Sequence, residues 1–495
     1  MSQSPMLDKV IRNVRVVRPN RQTVDLLDLG IKDGKFARIE PEIHPQEAKE
    51  MFDAQNLLGF PGVVDSHMHV GIYQPLAEDA VSESKAAAMG GVTTSLTYTR
   101  TGQYYLEKGG PYRDFFREVL TLSQGSFFVD YGYHLAPISS QHIKELETLV
   151  HEFGVTSFKI FMFYGGHGLH GPSDRQREYL MIGPDENYDI AHFESIMREL
   201  ADVMERHPEI RDYISLSLHC EVADILTAYT RLAEQEGRLT GLHAWNASRP
   251  QHSEALAICI AACLAYETDC VNINLLHLSS RKAIQAALRM QELFPHINFK
   301  REATVHHLLL DVDAPTANLA KVNPPIRPRE DVEFLWQAVL NRQVDWIASD
   351  HACLPKEKKL DPQDPDNIFR AKAGFGGTEY LLSGVFSEGS KRGMSYNHMA
   401  EVLCWNPAQR YGLLGKGDIA LGYDADLVLL DPNESFVVRA EDSPSAQGHT
   451  PFEGLELTGR VKSTFLRGNL IYHQGRINGP AQGRYLKRPY GTRKQ

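Results

Sequence analysis

The chain has 495 residues, which is enough for about three domains of ordinary size or for one large enzyme barrel with additions. Hydrophobic residues make up 42% of it and charged residues 23%, a globular composition that excludes a disordered or collagen-like chain. The net charge of −11 disfavours nucleic acids and anionic membranes as partners.

The cysteines and the apolar pattern predict a cytoplasmic enzyme. The six cysteines include no C-x-x-C pair, so they give neither a disulfide framework nor a zinc knuckle. The longest apolar run, residues 255–266, is too short to span a bilayer and predicts a buried helix. The first ten residues contain no apolar segment of the kind that a secretory signal needs.

Short β-type runs occur near both ends of the chain. They lie at residues 10–17, 29–31, 37–39, 425–430, 461–466 and 470–472. The Asp33-Gly34 pair between the second and third runs is a hairpin signal. We predict that residues 1–60 and 415–475 form one small β-sandwich domain.

Between these ends, residues 61–414 alternate between strand-like and helical patterns. Eight runs rich in Val, Ile, Phe and Thr lie at residues 63–69, 92–98, 127–135, 156–163, 213–219, 271–278, 297–302 and 344–350. Helical patterns between them include residues 79–89, 140–153, 190–205, 279–293 and 329–341. Eight β-then-α units predict an α/β protein with a (β/α)8 TIM-type barrel, whose active site forms at the C-terminal ends of the strands.

Two loops, residues 99–112 and 164–189, are longer than most connections from a strand to a helix. Because both follow barrel strands, we expect them to overhang the barrel mouth; the alternative is that they are surface loops without substrate contact. They carry Tyr104, Tyr105, Arg175 and Tyr179, and Arg113 directly follows the first loop.

Polar side chains stand where barrel strands end. His67 and His69 end the first strand and, at alternate positions, point to the same side. His219 ends the fifth strand, His277 the sixth and Asp350 the eighth. Four imidazoles and a carboxylate at one end of a barrel predict a site for Zn²⁺ or a similar divalent ion.

Lys159 lies in the fourth strand among Phe, Ile and Met, where a bare ammonium is costly. One interpretation is that its stem lets the amine reach solvent. The other is that the neutral amine takes up CO₂. The resulting carbamate is an anion that can bridge two metal ions about 3.5–4 Å apart.

The order His-x-His, Lys, His, His, Asp on strands one, four, five, six and eight resembles the cyclic amidohydrolases of the metal-dependent amidohydrolase superfamily. These are dihydropyrimidinase and hydantoinase, allantoinase, and dihydroorotase. The resemblance extends over almost the whole chain and includes residues 59–69, 86–94, 157–164, 321–327, 349–351 and 416–431.

The resemblance implies two divalent metal ions per chain, expected to be Zn²⁺. His67, His69 and Asp350 would hold the more buried ion, and His219 and His277 the more exposed one. Carbamylated Lys159 would bridge both ions together with a hydroxide.

It also implies which residues act on the substrate. Asp350 would carry the proton of the bridging hydroxide to the leaving nitrogen. Tyr164, five residues after the lysine, would polarise the scissile carbonyl, unless it only packs at the start of its loop. Asn323 and Gly376 would contact the substrate imide through the backbone. Gly376 belongs to an Ala-Gly-Phe-Gly-Gly stretch that replaces the Asn-Gly-Gly of hydantoinases.

We therefore predict a metal-dependent hydrolase that opens a cyclic amide, imide or ureide by attack of a metal-bridging hydroxide. Dihydropyrimidine- or hydantoin-like rings are the leading substrates; allantoin, dihydroorotate or a larger cyclic imide are alternatives. Ile72 stands where dihydroorotases have a carboxylate-binding arginine, which disfavours dihydroorotate. The complete set of ligand positions disfavours a non-catalytic scaffold, and Lys159 disfavours a deaminase.

The expected partner is a small-molecule substrate, without nucleic acid or membrane. The resemblance implies a homo-oligomer, either a tetramer or a dimer. The C-terminal tail, residues 476–495, ends in a basic segment that is either a disordered terminus or an arm to a neighbouring subunit.

Overall fold

A computed structural model describes residues 6–164 and 175–491, together with the backbone of residues 167–168 and 171–172. Residues 165–174, which belong to the predicted 164–189 loop, therefore lie outside the residues whose side chains are described. The strands are β1 Leu7–Val17, β2 Val24–Lys32, β3 Lys35–Glu40, β4 Ala48–Asp53, β5 Leu58–Pro61, β6 Val63–Met68, β7 Val92–Thr99, β8 Asp130–Leu135, β9 Ser157–Phe161, β10 His167–Gly168, β11 Gly171–Pro172, β12 Ser215–His219, β13 Asn272–Leu275, β14 Asn298–Thr304, β15 Trp346–Ala348, β16 Leu427–Val437, β17 Glu456–Leu466, β18 Asn469–His473 and β19 Arg476–Ile477.

The helices pack mainly around the sheet that contains β6–β9 and β12–β15. They are α1 Leu76–Met89, α2 Phe116–Ser123, α3 Ser140–Lys144, α4 Leu146–Phe153, α5 Gln176–Leu180, α6 Ile190–Arg206, α7 Ala223–Glu236, α8 Gly241–Ser248, α9 Gln251–Thr268, α10 Arg281–Leu293, α11 Val305–Leu309, α12 Arg329–Leu340, α13 Lys356–Lys359, α14 Leu381–Lys391, α15 Tyr396–Ala400 and α16 Asn406–Arg410. Within the described ranges, we find no helix with the length and hydropathy needed to cross a bilayer.

Eight parallel strands, β6–β9 and β12–β15, form a barrel in chain order. The first and last strands meet at the mouth, where the amide of His69 donates to the carbonyl of His351 over 2.7 Å. Strands β6, β7, β8, β9 and β12 are buried along their whole length, as their apolar runs require of a sheet covered on both faces. All eight predicted barrel strands and the fold class are confirmed.

The remaining long strands form a second sheet from both ends of the chain. Its order is β19-β18-β17-β16-β5-β1-β2-β3, with β4 beside β1. The two ends join where β5 pairs with β16. Asp33 and Gly34 turn the β2–β3 hairpin, both with positive φ, as the predicted turn requires. This sheet encloses its own core, which includes Ile11, Leu29 and Phe465.

Two helical predictions differ from the structure. The pattern over residues 140–153 predicts one helix, but the helix breaks at Glu145 because its carboxylate accepts the backbone amides of Tyr112 and Arg113 over 2.6 and 3.2 Å. The predicted buried helix forms as α9, but Leu256 and Tyr266 are 45% and 48% exposed. Full burial is therefore wrong: α9 lies on the outer ring and buries only its inner face.

A buried charge cluster joins the barrel to the second sheet. Lys416 lies 2.8 Å from Asp130 of β8, 3.1 Å from Asp424 and 2.7 Å from Asp426. Arg467 also donates to Asp130. The buried cations of Lys416 and Arg467 compensate carboxylates that water does not reach, so the cluster fixes the position of the strands relative to one another.

We expect the substitution Lys416→Met to destabilise the protein by about 3–5 kcal/mol, because it leaves the buried Asp426 carboxylate without its cation. Chemical denaturation of both variants measures this. The matched control is Lys35→Met, which removes the ion pair between Asp424 and a lysine whose side chain is 50% exposed. This substitution should lower the free energy of unfolding by less than about 1 kcal/mol. Equal losses in the two variants would mean that the cluster contributes nothing beyond a surface ion pair.

The C-terminal tail packs along the base of its own barrel up to Gly491. The amide of Leu486 donates to the carbonyl of Tyr131 over 2.8 Å, and buried Arg488 donates to the Ser157 hydroxyl over 2.6 Å. A disordered tail is therefore wrong for these residues. The contact with a neighbouring subunit, and the tetramer or dimer that it implies, stay predictions.

Candidate metal centre at the barrel mouth

Strand β6 brings His67 and His69 to the barrel mouth beside Asp350. The Oδ1 atom of Asp350 lies 2.9 Å from Nε2 of His67 and 3.2 Å from Nε2 of His69. Nε2 of His67 is also 2.9 Å from the amine of Lys159. Side-chain alternation along β6 and the parallel pairing of the strands thus place four predicted ligands close together: His67, His69, Lys159 and Asp350.

His219 and His277 complete the group from strands β12 and β13. Ligand atoms of His67, His277 and Asp350 all lie within 4.8 Å of one another. The ring of His219 is 4.3 Å from that of His277, measured between centroids. The structure therefore brings together all six residues that the sequence predicts as metal ligands.

The hydrogen bonds of His67 test whether a cation fits here. Its Nδ1 donates to Glu302 Oε1 over 2.7 Å, so its Nε2 directs a lone pair toward the Asp350 carboxylate. Two acceptors facing each other need a cation between them. Burial would lower the pKa of His67, but the carboxylates of Asp350 and Glu302 raise it. A proton, the Lys159 ammonium 2.9 Å from the same Nε2, or a metal ion can supply this positive charge.

The other imidazoles are neutral and available as ligands. Burial lowers the pKa of His69 to about 3 and that of His219 to about 4. Nδ1 of His277 is buried and has no hydrogen-bond partner among the described residues. Because buried polar atoms are nearly always paired, this nitrogen is suited to bind a ligand. The donor set fits a divalent ion such as Zn²⁺.

Lys159 does not reach solvent, since it is 1% exposed. Its amine lies 4.1 Å from the ring centre of Tyr98 and 4.3 Å from that of Phe161. Burial lowers the pKa of this lysine to about 7, although the charges of Asp350 and Glu302 act in the opposite direction. Burial therefore favours the neutral amine, which is the form that reacts with CO₂.

Two of the six residues have strained backbones. His277 and Asp350 have φ values of 36° and 51°, in the left-handed region that residues with a Cβ seldom adopt. Each lies just after a barrel strand, where the chain turns to direct the side chain into the mouth. Strain of this kind is typical of functional sites.

A second layer of side chains orients the histidines, and reasoning from the sequence missed these roles. Glu302 accepts from His67 through Oε1 and from the Trp346 indole over 2.8 Å through Oε2. Tyr105 lies 2.7 Å from Nδ1 of His69. Such partners fix the tautomer and direction of a metal-binding imidazole. The signal in the sequence is a carboxylate, Glu302, in the second half of strand β14, where it and the two residues after it are buried.

Glu221 orients the imidazole of His219 in the same way. It lies 2.7 Å from Nε2 of that ring and 2.9 Å from the guanidinium of Arg249, and all three are buried. This leaves Nδ1 of His219 for another partner. The signal in the sequence is the His-Cys-Glu order at the end of β12.

The predicted substrate residues lie in different environments. Tyr164 is buried at the mouth, where its ring stacks on Phe161 at 5.0 Å. Asn323 is buried, and the backbone carbonyl of the next residue, Pro324, accepts a hydrogen bond from Nε2 of His307 over 3.1 Å. Gly376 has its amide bound to the Gln447 side chain over 2.7 Å. Its contact with substrate stays a prediction, and a contact through this amide would require Gln447 to move.

Comparison with known proteins agrees with this geometry. A family model described as the amidohydrolase family matches residues 194–471. An allantoinase of Rubrobacter xylanophilus is 31% identical over 487 residues, which is 97% of both chains. An allantoinase of Salmonella choleraesuis is 30% identical over 476 residues, covering 94% of this chain and 95% of the other.

Solved structures show the same architecture. The dihydropyrimidinase of Brevibacillus agri aligns with a TM-score of 0.83 and 25% identity, covering 98% of this chain and 100% of the other. A D-hydantoinase aligns with a TM-score of 0.82 and 26% identity, with the same coverage. The chain belongs to the amidohydrolase family and, within it, to the cyclic amidohydrolases, which hydrolyse C–N bonds in cyclic amides.

Proposed function

We propose that this protein opens cyclic ureides, with hydantoin- and dihydropyrimidine-like rings as its leading substrates, at a centre of two divalent ions. The observation that carries the proposal is the convergence of His67, His277 and Asp350 within 4.8 Å at the barrel mouth. The likeness to the dihydropyrimidinase and the D-hydantoinase supports the choice of ring.

His67, His69 and Asp350 would hold one ion, and His219 and His277 the other. Lys159, as its carbamate, would contact both. When bound, such ions lower the pKa of a water molecule toward about 7 and polarise a carbonyl group. Zn²⁺ suits this set of nitrogen and oxygen donors.

The chain's own residues supply the remaining chemistry. The Asp350 carboxylate would take a proton from the attacking water and return it to the ring nitrogen as the C–N bond breaks. Tyr164 would donate a hydrogen bond to the carbonyl oxygen, which becomes negative as the water adds. Asn323 and Gly376 would hold the imide group through the backbone.

The wall beside the site favours neutral rings. Ile72 and Tyr73 are buried against Ala352 and Leu354, and Tyr104 packs on this group. A carboxylate placed there would lose a charge-assisted hydrogen bond of about 1.5–3 kcal/mol, or one to two decades in affinity. An apolar ring substituent would gain contact area instead.

Allantoin is the second candidate. It is a hydantoin that carries a ureido group, and both sequence relatives described above are allantoinases. Its ring presents the same imide to the proposed centre as an unsubstituted hydantoin.

We expect kcat/KM for dihydroorotate to be about 10- to 100-fold below that for the best neutral ring, from the lost charge-assisted bond. The comparison uses dihydrouracil, hydantoin, a phenyl-substituted hydantoin, allantoin and dihydroorotate under one set of conditions. Preference for dihydroorotate would contradict the proposed preference for neutral rings. Preference for allantoin over every other ring would establish the second candidate.

A further inference from the structure

Arg100 is a buried cation at the barrel mouth that the proposed chemistry does not yet use. It directly follows β7 and is 3% exposed. Among the described residues it forms no ion pair with a carboxylate. A buried guanidinium without an anion is costly, so its position needs a reason.

Its hydrogen bonds run to two tyrosines. Nε of Arg100 donates to the hydroxyl of Tyr164 over 2.9 Å, and Nη2 donates to the hydroxyl of Tyr179 over 2.7 Å. Nη1 donates to the carbonyl of Thr101 over 2.8 Å. The guanidinium also lies 5.4 Å from the ring centre of Tyr105, which in turn contacts the predicted ligand His69.

The direction of the bond to Tyr164 follows from chemistry. A guanidinium has donors only, so the Tyr164 oxygen must be the acceptor. The hydroxyl hydrogen of Tyr164 then cannot point at Arg100 and is left for a different acceptor. A bond from a charged donor also draws electron density from the phenol oxygen, which strengthens the phenol as a donor.

We infer that Arg100 is a positioning residue that fixes the Tyr164 hydroxyl as a hydrogen-bond donor to the substrate carbonyl. The inference rests on the proposed function, because it needs a carbonyl that becomes negative during the reaction. Burial raises the pKa of Tyr164, and the charge of Arg100 opposes that rise. Arg100 thus keeps a buried phenol a competent donor as the oxyanion forms.

A purely structural role is the alternative. Arg100 lies at the start of the 99–112 loop and reaches Tyr179 of the second loop, so it could act only by holding the two loops together. Loss of that support would loosen substrate binding and raise KM. Loss of the Tyr164 orientation would instead lower kcat, because the hydrogen bond from Tyr164 strengthens only when negative charge develops on the substrate carbonyl oxygen.

The test is a double-mutant cycle on the metal-loaded enzyme, with Arg100→Met, Tyr164→Phe and the double variant. We expect Tyr164→Phe to lower kcat by about 10²–10³-fold, as loss of an oxyanion donor does. Arg100→Met should lower kcat roughly tenfold or more with little change in KM, and should add almost nothing to Tyr164→Phe. Arg100→Lys should recover part of the loss.

The matched control is Arg289→Met, the same substitution at an exposed position of helix α10, which should leave kcat and KM unchanged. Losses that multiply in the double variant, or a rise in KM alone, would overturn the inference and leave the proposed function intact. If the metal-loaded wild-type protein opens none of the rings, the proposed function fails and the inference fails with it.

Discussion

The substitution Lys159→Ala is expected to yield a folded protein that retains little or no metal and opens no ring. Lys159 stands 2.9 Å from His67 and is buried with the other predicted ligands. As a carbamate it would supply the anion shared by two ions of like charge. Without it, the ions would repel each other across the site. Metal analysis of the purified variant measures the loss directly.

Two further variants separate ligand loss from a packing defect. Lys159→Met keeps most of the side-chain volume between Tyr98 and Phe161 and should lose metal as completely as the alanine variant. Lys300→Ala removes a partly exposed lysine from β14 and should keep its metal. Short carboxylic acids are expected to restore part of the turnover to Lys159→Ala. Two ions retained per chain in that variant would contradict the bridging role.

Asp350→Asn is expected to lower kcat by about 10²–10⁴-fold, the range for loss of a general acid–base group. The amide has nearly the shape of the carboxylate but cannot take a proton from the attacking water. Because Oδ1 of Asp350 lies near both His67 and His69, weaker metal binding would add to the loss. Rates measured at saturating Zn²⁺ isolate the proton-transfer part.

The control for this variant is Asp345→Asn, just before β15 at the other end of the same strand. Asp345 binds Arg301 over 2.9 Å and has no place in the proposed chemistry, so kcat should not change. A near-normal kcat in Asp350→Asn would leave Asp350 as a ligand only and would assign the proton transfer to another group.

Much of the barrel and its proposed ligands could be predicted because the signals are local. A buried parallel strand is an apolar run, and the change from apolar to polar residues marks the end of the strand. His67 and His69 share a face because side chains alternate along a strand. Once eight strands are counted, the barrel topology places their ends together.

The supporting contacts could not be predicted, because they depend on which side chains meet across the fold. Glu302 is useful to His67 only because β14 and β6 converge, which no window of sequence shows. Arg100 appears in the sequence as one more polar residue at the start of a loop. The break at Glu145 has the same origin, since tertiary hydrogen bonds outweigh the helical pattern of residues 140–153.

The most direct test is ring opening by one protein preparation before and after its metal is removed and returned. The purified enzyme is assayed with hydantoin, dihydrouracil and allantoin, then treated with a chelator, then supplied with Zn²⁺. We expect at least one ring to open, the activity to vanish with the metal, and its return to require two ions per chain. Ring opening that persists in metal-free protein, or no opening of any ring by metal-loaded protein, would contradict a dinuclear cyclic amidohydrolase.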